Sequence, residues 1–252
     1  MDKNIFKVKG TYVNGQWFNS KTSYEVFNPS NGEKLSDVPI SDRKELELAV
    51  ASAKKAQAVW SKTSLIERAK CLEELSKKIL AKEEEFALID SYDSGNAITG
   101  MRKDVKETVN NIRYFCGLVR EVKGETFSME KNHLNFTRYQ PYGVVLKINP
   151  FNHPFRFCVE KIAAPLLMGN SLIIKNSEQA PISSLRFCEL LDDIFPKGLI
   201  NVVTGGPENG KFLVEHPDIK RIAVIGSVNT GIAIAKSAAP FLKNISLELG
   251  GK

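Results

Sequence analysis

Histidine and cysteine are scarce, three and four among 252 residues. Cys71, Cys116, Cys158 and Cys188 stand far apart without a Cys-x-x-Cys pair, so neither a metal centre nor a disulfide framework is expected. Each falls in an apolar helical pattern, where a buried small hydrophobe is the usual role, and none reads as an exposed nucleophile. Long apolar runs are missing too. No stretch approaches the ~20 residues of a membrane helix. Met1, Asp2, Lys3 and Asn4 make a polar start instead of a signal region, so no membrane partner and a cytoplasmic location are expected. A basic stripe interleaved with aromatics is also lacking. The formal charge of +6 is spread among acids, as in Lys82, Glu83, Glu84 and Glu85, which argues against a nucleic-acid partner.

What is present is a core-forming chain, 42% apolar, without internal repeats or low-complexity tracts. Residues 9–38 read as extended segments joined by turns at Asn14, Gly15 and Asn28–Gly32. Ser41 or Asp42 can cap a helix running to Trp60. Ala69, Leu72, Leu75 and Ile79 mark the stripe of a second helix, and Val105, Val109, Ile112, Cys116 and Val119 that of a long third. Residues 124–142 alternate as in a hairpin or bridging strand pair.

From Gly143 the pattern is a strict alternation of strand and helix. Strands are expected at 144–148, 171–175, 200–204, 221–225 and 245–249, and helices at 154–168, 181–193, 208–215 and 228–238. Five βα steps imply an α/β, doubly wound, Rossmann-like parallel sheet of about five strands, because parallel strands need crossovers that cover both faces. Residues 1–140 would form an N-terminal helical segment with bridging or oligomerisation strands. Residues 141–252 would form the βα core, and the two together one unit.

Ligands of such sheets bind beyond the carboxyl ends of the strands, which directs attention to the residues just after each strand. The first strand runs through Ile148 into Asn149, Pro150, Phe151, Asn152, His153 and Pro154, and the second into Lys175, Asn176, Ser177 and Glu178. Glycine turns follow the third (Gly205, Gly206, Pro207, Glu208, Asn209, Gly210) and the fourth (Gly226, Ser227, Val228, Asn229, Thr230, Gly231). Glycine turns that open helices offer amides to a phosphate, although tight turns also need glycine for steric reasons alone. The fifth strand ends in Glu248, Leu249, Gly250, Gly251 and Lys252.

These strand ends resemble those of the aldehyde dehydrogenase superfamily, and the resemblance extends over essentially the whole chain. LELGGK (247–252) resembles the stretch that supplies the general-base glutamate, implying that role for Glu248. NPFNHP (149–154) resembles the Pro-aromatic-Asn-x-Pro motif, implying Asn152 as the oxyanion donor. Lys-x-Ser-Glu resembles the adenosine-ribose site, implying that Lys175 and Glu178 bind ribose hydroxyls, and IGSVNTG resembles the pyrophosphate turn, implying Gly226 and Ser227. YVNGQW and FNPSNGE resemble early strands of the family. The implied cofactor is NAD, with NADP as the alternative. Ile148, Asn149, Pro150, Phe151, Ser177, Gly206, Gly210, Thr230, Leu249 and Gly250 would complete its site. Asn176 departs from the usual proline and Ile225 from the usual threonine.

The resemblance also implies a nucleophilic cysteine a few tens of residues beyond the glutamate, in a second domain that forms the aldehyde channel. The expectation is therefore a cofactor-binding half, inactive alone, that works with a separate C-terminal catalytic half and self-associates through its bridging strands. A non-catalytic dinucleotide-binding or interaction module is the alternative, and an acylating relative is disfavoured by Glu248. Plainer roles stay open for individual residues. Asn152 can be a helix N-cap, Glu248 a carboxylate in a surface ion pair, Lys175 a solvated lysine and His153 a packing residue.

Overall fold

The computed structural model describes residues 3–251. The chain begins with two small antiparallel units. Strands β1 (Thr11–Val13) and β2 (Gln16–Phe18) turn at Asn14 and Gly15, and β3 (Ser23–Phe27) pairs with β4 (Lys34–Pro39). Four helices follow. α1 (Arg43–Trp60) is capped by Asp42, whose carboxylate accepts from Glu45 N–H at 2.8 Å, and α2 (Leu65–Ala81) by a reciprocal Ser64–Glu67 box. α3 (Glu83–Ser94) ends at Gly95 in the left-handed conformation, and α4 (Ile98–Leu118) buries the stripe from Val105 to Cys116. β5 (Thr126–Ser128) and β6 (Leu134–Phe136) then pair, among the described residues, only with each other.

The alternating half runs β7 (Val144–Ile148), α5 (Pro154–Val159), α6 (Ala163–Leu167), β8 (Ser171–Lys175), α7 (Ile182–Phe187), β9 (Ile200–Val203), α8 (Pro207–Glu215), β10 (Ile219–Gly226), α9 (Val228–Ala238) and β11 (Asn244–Leu249). All five expected strands form, and they pair in parallel in the order β11-β10-β7-β8-β9. Among the described residues the sheet has seven strands, two more than the sequence pattern indicates. The β1–β2 hairpin adds antiparallel to β9, because Tyr12 faces Val202 across that edge.

Two expected helices are broken. Residues 154–168 form α5, one 3₁₀ turn and α6, since Pro165 has no N–H to continue a helix and fits only its first turn. Residues 181–193 shorten to α7 and a 3₁₀ turn at Cys188–Leu190, after which the Asp192 carboxylate accepts from the Tyr12 hydroxyl on β1.

Alternation along the strands divides the core in two. Val144, Leu146, Ile173 and Val203 pack with α1, α8 and α9, whereas Val145, Leu172, Ile174 and Val202 pack with α5–α7 and the layer of α2–α4 behind them. α9 lies so close to β11 that a Cβ on Gly231 would come within 2.7 Å of the Leu249 side chain. No described helix is long and apolar enough to cross a membrane.

Candidate cofactor site at the switch point

Strand order reverses between β7 and β10. After β7 the chain winds outward through β8 and β9, then returns to the other side of β7 for β10 and β11. The carboxyl ends of these two strands therefore flank a crevice that no crossover fills, where ligands of open α/β sheets bind. A cavity of about 550 Å³ lies there. It is lined by Ile148, Asn149, Pro150 and Phe151 from β7, Lys175, Ser177 and Glu178 from β8, Gly210 from α8, and Gly226, Ser227 and Thr230 from β10 and α9.

The site residues expected from sequence gather in or beside this crevice. Gly206 sits at its edge, where a Cβ would lie 3.5 Å from both Glu178 carboxylate oxygens. Leu249 and Gly250 line an adjoining cavity of about 540 Å³ that also touches Asn152 and Glu248. A third cavity, of about 580 Å³, opens on the uncovered face of β10 and β11 and shares Asn149 and Glu248. Lys252 of the LELGGK stretch lies outside the described residues.

The electrostatics centre on Lys175. It is only 8% exposed, and its ammonium makes no hydrogen bond or ion pair within the described protein. Burial lowers its pKa, and the nearby Glu178 carboxylate partly offsets that. A solvated lysine is thereby replaced by a desolvated cation that wants acceptors. Gly226 ends β10, and Ser227 caps α9 by accepting from Thr230 N–H at 3.2 Å. The first amides of this 11-residue helix open towards the crevice.

The plainer roles for two other residues do not hold. The N-cap position of α5 belongs to His153, and Asn152 is exposed with its side-chain amide unbonded among the described residues. Glu248 is exposed at the end of β11 with no ion pair among the described residues. His153 is held by Asp104, Nδ1 to Oδ2 at 2.5 Å, in keeping with a packing role.

The cysteines are remote from this chemistry. Cys116, Cys158 and Cys188 are buried and Cys71 half-buried, and none lines a cavity described above. Burial pushes the Cys116 and Cys158 thiols up to about 11, and it raises Cys71 and, further, Cys188. No group of three or more metal-ligating side chains occurs among the described residues.

Several lining residues were not evident from the strand-end motifs. Asn149 Nδ2 donates to Asn176 Oδ1 at 2.9 Å across β7 and β8, so the departure from proline closes the strand ends with a buried amide contact. Lys211 lies one turn beyond Pro207 on α8, and Ala233, Ile234 and Ser237 lie on the face of α9 that continues from Thr230. Helical spacing from the expected residues was the available signal.

Fold and crevice together define a doubly wound α/β protein with a ligand-sized site at its topological switch point. The profile of the aldehyde dehydrogenase family matches residues 17–252, and the chain belongs to that family. It is 35% identical over 246 residues to the aldehyde dehydrogenase tropH of Talaromyces stipitatus, covering 96% of this chain and 48% of that protein. It is 37% identical over 229 residues to 4-trimethylaminobutyraldehyde dehydrogenase of Rattus norvegicus, covering 90% and 46%. The chain thus spans about half the length of the curated relatives it matches. Among solved structures, betaine aldehyde dehydrogenase of Staphylococcus aureus in complex with NAD+ superposes with a TM-score of 0.95 at 31% identity, over 100% of this chain and 51% of that one.

Proposed function

We propose that these residues form the cofactor side of an enzyme that oxidises an aldehyde to a carboxylic acid with NAD, NADP being the alternative cofactor. The observation that carries this reading is the buried, unpaired Lys175 ammonium in the switch-point cavity, with Glu178 beside it and the open N-terminus of α9 across from it. Lys175 and Glu178 donate to and accept from ribose hydroxyls. Gly226 and Ser227 let a pyrophosphate approach the α9 amides. Residues 148–151 with Leu249 and Gly250 border the nicotinamide side. The dinucleotide, when bound, supplies the hydride acceptor.

Asn152 donates its free side-chain amide to the oxyanion formed when a thiolate adds to the aldehyde carbonyl. Glu248 takes a proton from the water that hydrolyses the resulting thioester. With no cysteine lining these cavities, the thiolate is left to polypeptide outside these residues, a partner half that also shapes the aldehyde channel. The uncovered face of β10 and β11 is the surface we assign to it. The exposed β5–β6 hairpin supports self-association, and the cytoplasm is the compartment this reading takes.

Calorimetric titration of the chain with NAD tests the cofactor site. Binding in the micromolar to millimolar range, weakened roughly tenfold or more by Lys175→Ala, is expected, because the lysine supplies charge-assisted hydrogen bonds. No heat at millimolar NAD would remove the proposal.

A further inference from the structure

Neither α5 nor α7 caps itself. α5 opens at His153–Pro154 and α7 at Pro181–Ile182, and no side chain at either N-cap bonds the first amides. Those amides are taken instead by α3. Asp90 Oδ2 accepts from Phe155 N–H at 3.0 Å, and Asp93 Oδ2 accepts from Ile182 N–H at 2.9 Å. Their spacing of three places both carboxylates on one face of α3. Both are buried, at 1% and 2% exposure.

Burial on this scale is costly for a carboxylate, and apolar side chains would pack α3 against the core without that cost. Desolvation raises Asp90 to about 7 and Asp93 well above the usual carboxylate range. What the two groups hold accounts for their presence. α5 follows the loop that carries Asn152, and α7 follows the loop that carries Glu178. The first loop is also tied from its other side, since Asn96 Nδ2 donates to the Asn152 carbonyl at 2.6 Å. Phe86 of α3 stacks on Phe155 with ring centroids 4.3 Å apart. Beside the second loop, the half-buried Tyr24 phenol of β3 lies within electrostatic reach of both Asp93 and Glu178.

We propose that Asp90 and Asp93 are positioning residues, paired on α3 so that each anchors one loop of the cofactor site. Asp93 holds the Lys175–Glu178 loop through the first amide of α7, and Asp90 holds the Asn152 loop through the second residue of α5. The assignment rests on the reading of the site given above. It makes the helical layer of α2–α4, residues 65–118, the template against which both loops are set.

The test uses the whole chain, AMP as the probe of the adenosine-ribose loop, and native-state amide hydrogen exchange. Asp93→Ala should weaken AMP binding roughly five- to tenfold, the scale of a lost helix cap transmitted to its loop. It should speed exchange at Ile182 while Phe155 stays protected. Asp90→Ala should show the converse exchange pattern. Asp93→Asn should restore AMP affinity, because its amide oxygen still accepts from Ile182 N–H. Lys175→Ala is the control for the site itself. If it leaves AMP binding intact, the site reading fails and the exchange pattern alone decides the anchoring. If it abolishes binding while Asp93→Ala binds as the parent does, the positioning assignment is overturned. Faster exchange at both amides in both variants would also overturn it, as a general loosening. Should the alanine variants not fold, Asp93→Glu and Asp90→Glu shift each carboxylate by one methylene and are read the same way. Failure of these to fold as well would assign the carboxylates to the fold alone.

Discussion

At the scale of single residues, charge sets which dinucleotide the proposed site would take. Glu178 stands beside the place proposed for the ribose and repels a 2′-phosphate, while the desolvated Lys175 attracts it. NAD should bind more tightly than NADP. Glu178→Gln should narrow the ratio of dissociation constants by roughly tenfold, the equivalent of about 1.4 kcal/mol. Parallel titrations with both cofactors check this, and a parent that prefers NADP would show that the lysine dominates. These two residues were legible because their motif stands directly after a strand. Asp90 and Asp93 were not, since acids within the apolar pattern Phe86, Ala87 and Ile89 look like solvated positions until the helices they cap are placed beside them.

Asp90 also links the site to pH. Its folded pKa, near 7, is raised by desolvation and by the neighbouring Asp104 on α4, against Ser183 of α7, the Phe155 amide and His153, which favour the charge. The folded state therefore holds a proton that the unfolded chain releases near 4. Its contribution is present below about pH 4 and is lost as pH rises towards 7. Urea unfolding at pH 5 and pH 8 should show a loss of stability that is smaller in Asp90→Asn. An identical loss in both would mean that Asp90 ionises normally.

At the scale of elements, the β5–β6 hairpin is the least supported part of the fold. It pairs with no other strand among the described residues, and Phe127, Leu134 and Phe136 are exposed on it, with Met129, Tyr139 and Tyr142 nearby. An isolated two-stranded hairpin is marginal in water, so a second copy is the surface that would stabilise it. Light scattering should show a mass above that of one chain, and Phe127→Ser with Phe136→Ser should shift it towards the monomer. An unchanged mass would place the contact elsewhere. The alternation of residues 124–142 disclosed the pair of strands, but an alternating pattern does not name a partner. For the same reason the turn chemistry at Asn14 and Gly15 indicated a hairpin and not its addition to β9. The breaks after α5 and α7 were missed because apolar periodicity continues through Pro165 and Cys188 even where the backbone ladder does not.

At the scale of the whole molecule, the sheet order β11-β10-β7-β8-β9 is what turns scattered motifs into one site. Residues 148–151, 175–178 and 226–230 meet only because the chain reverses direction at β7. The five parallel strands were readable from apolar runs bounded by glycine and proline, whereas their lateral order was not, since periodicity carries no information about neighbours. With three thiols buried, Cys71 half-buried and all four shifted towards the protonated form, the chain alone should produce no NADH from aliphatic or aromatic aldehydes. Turnover that disappears on mutating one of the four cysteines would refute that. The most direct measurement of the central claim is a crystal structure of the chain grown with NAD. The adenosine ribose is expected between Lys175 and Glu178, and the pyrophosphate over Gly226 and Ser227 at the start of α9. NAD bound away from the switch point, with Lys175 still unpaired, would contradict it.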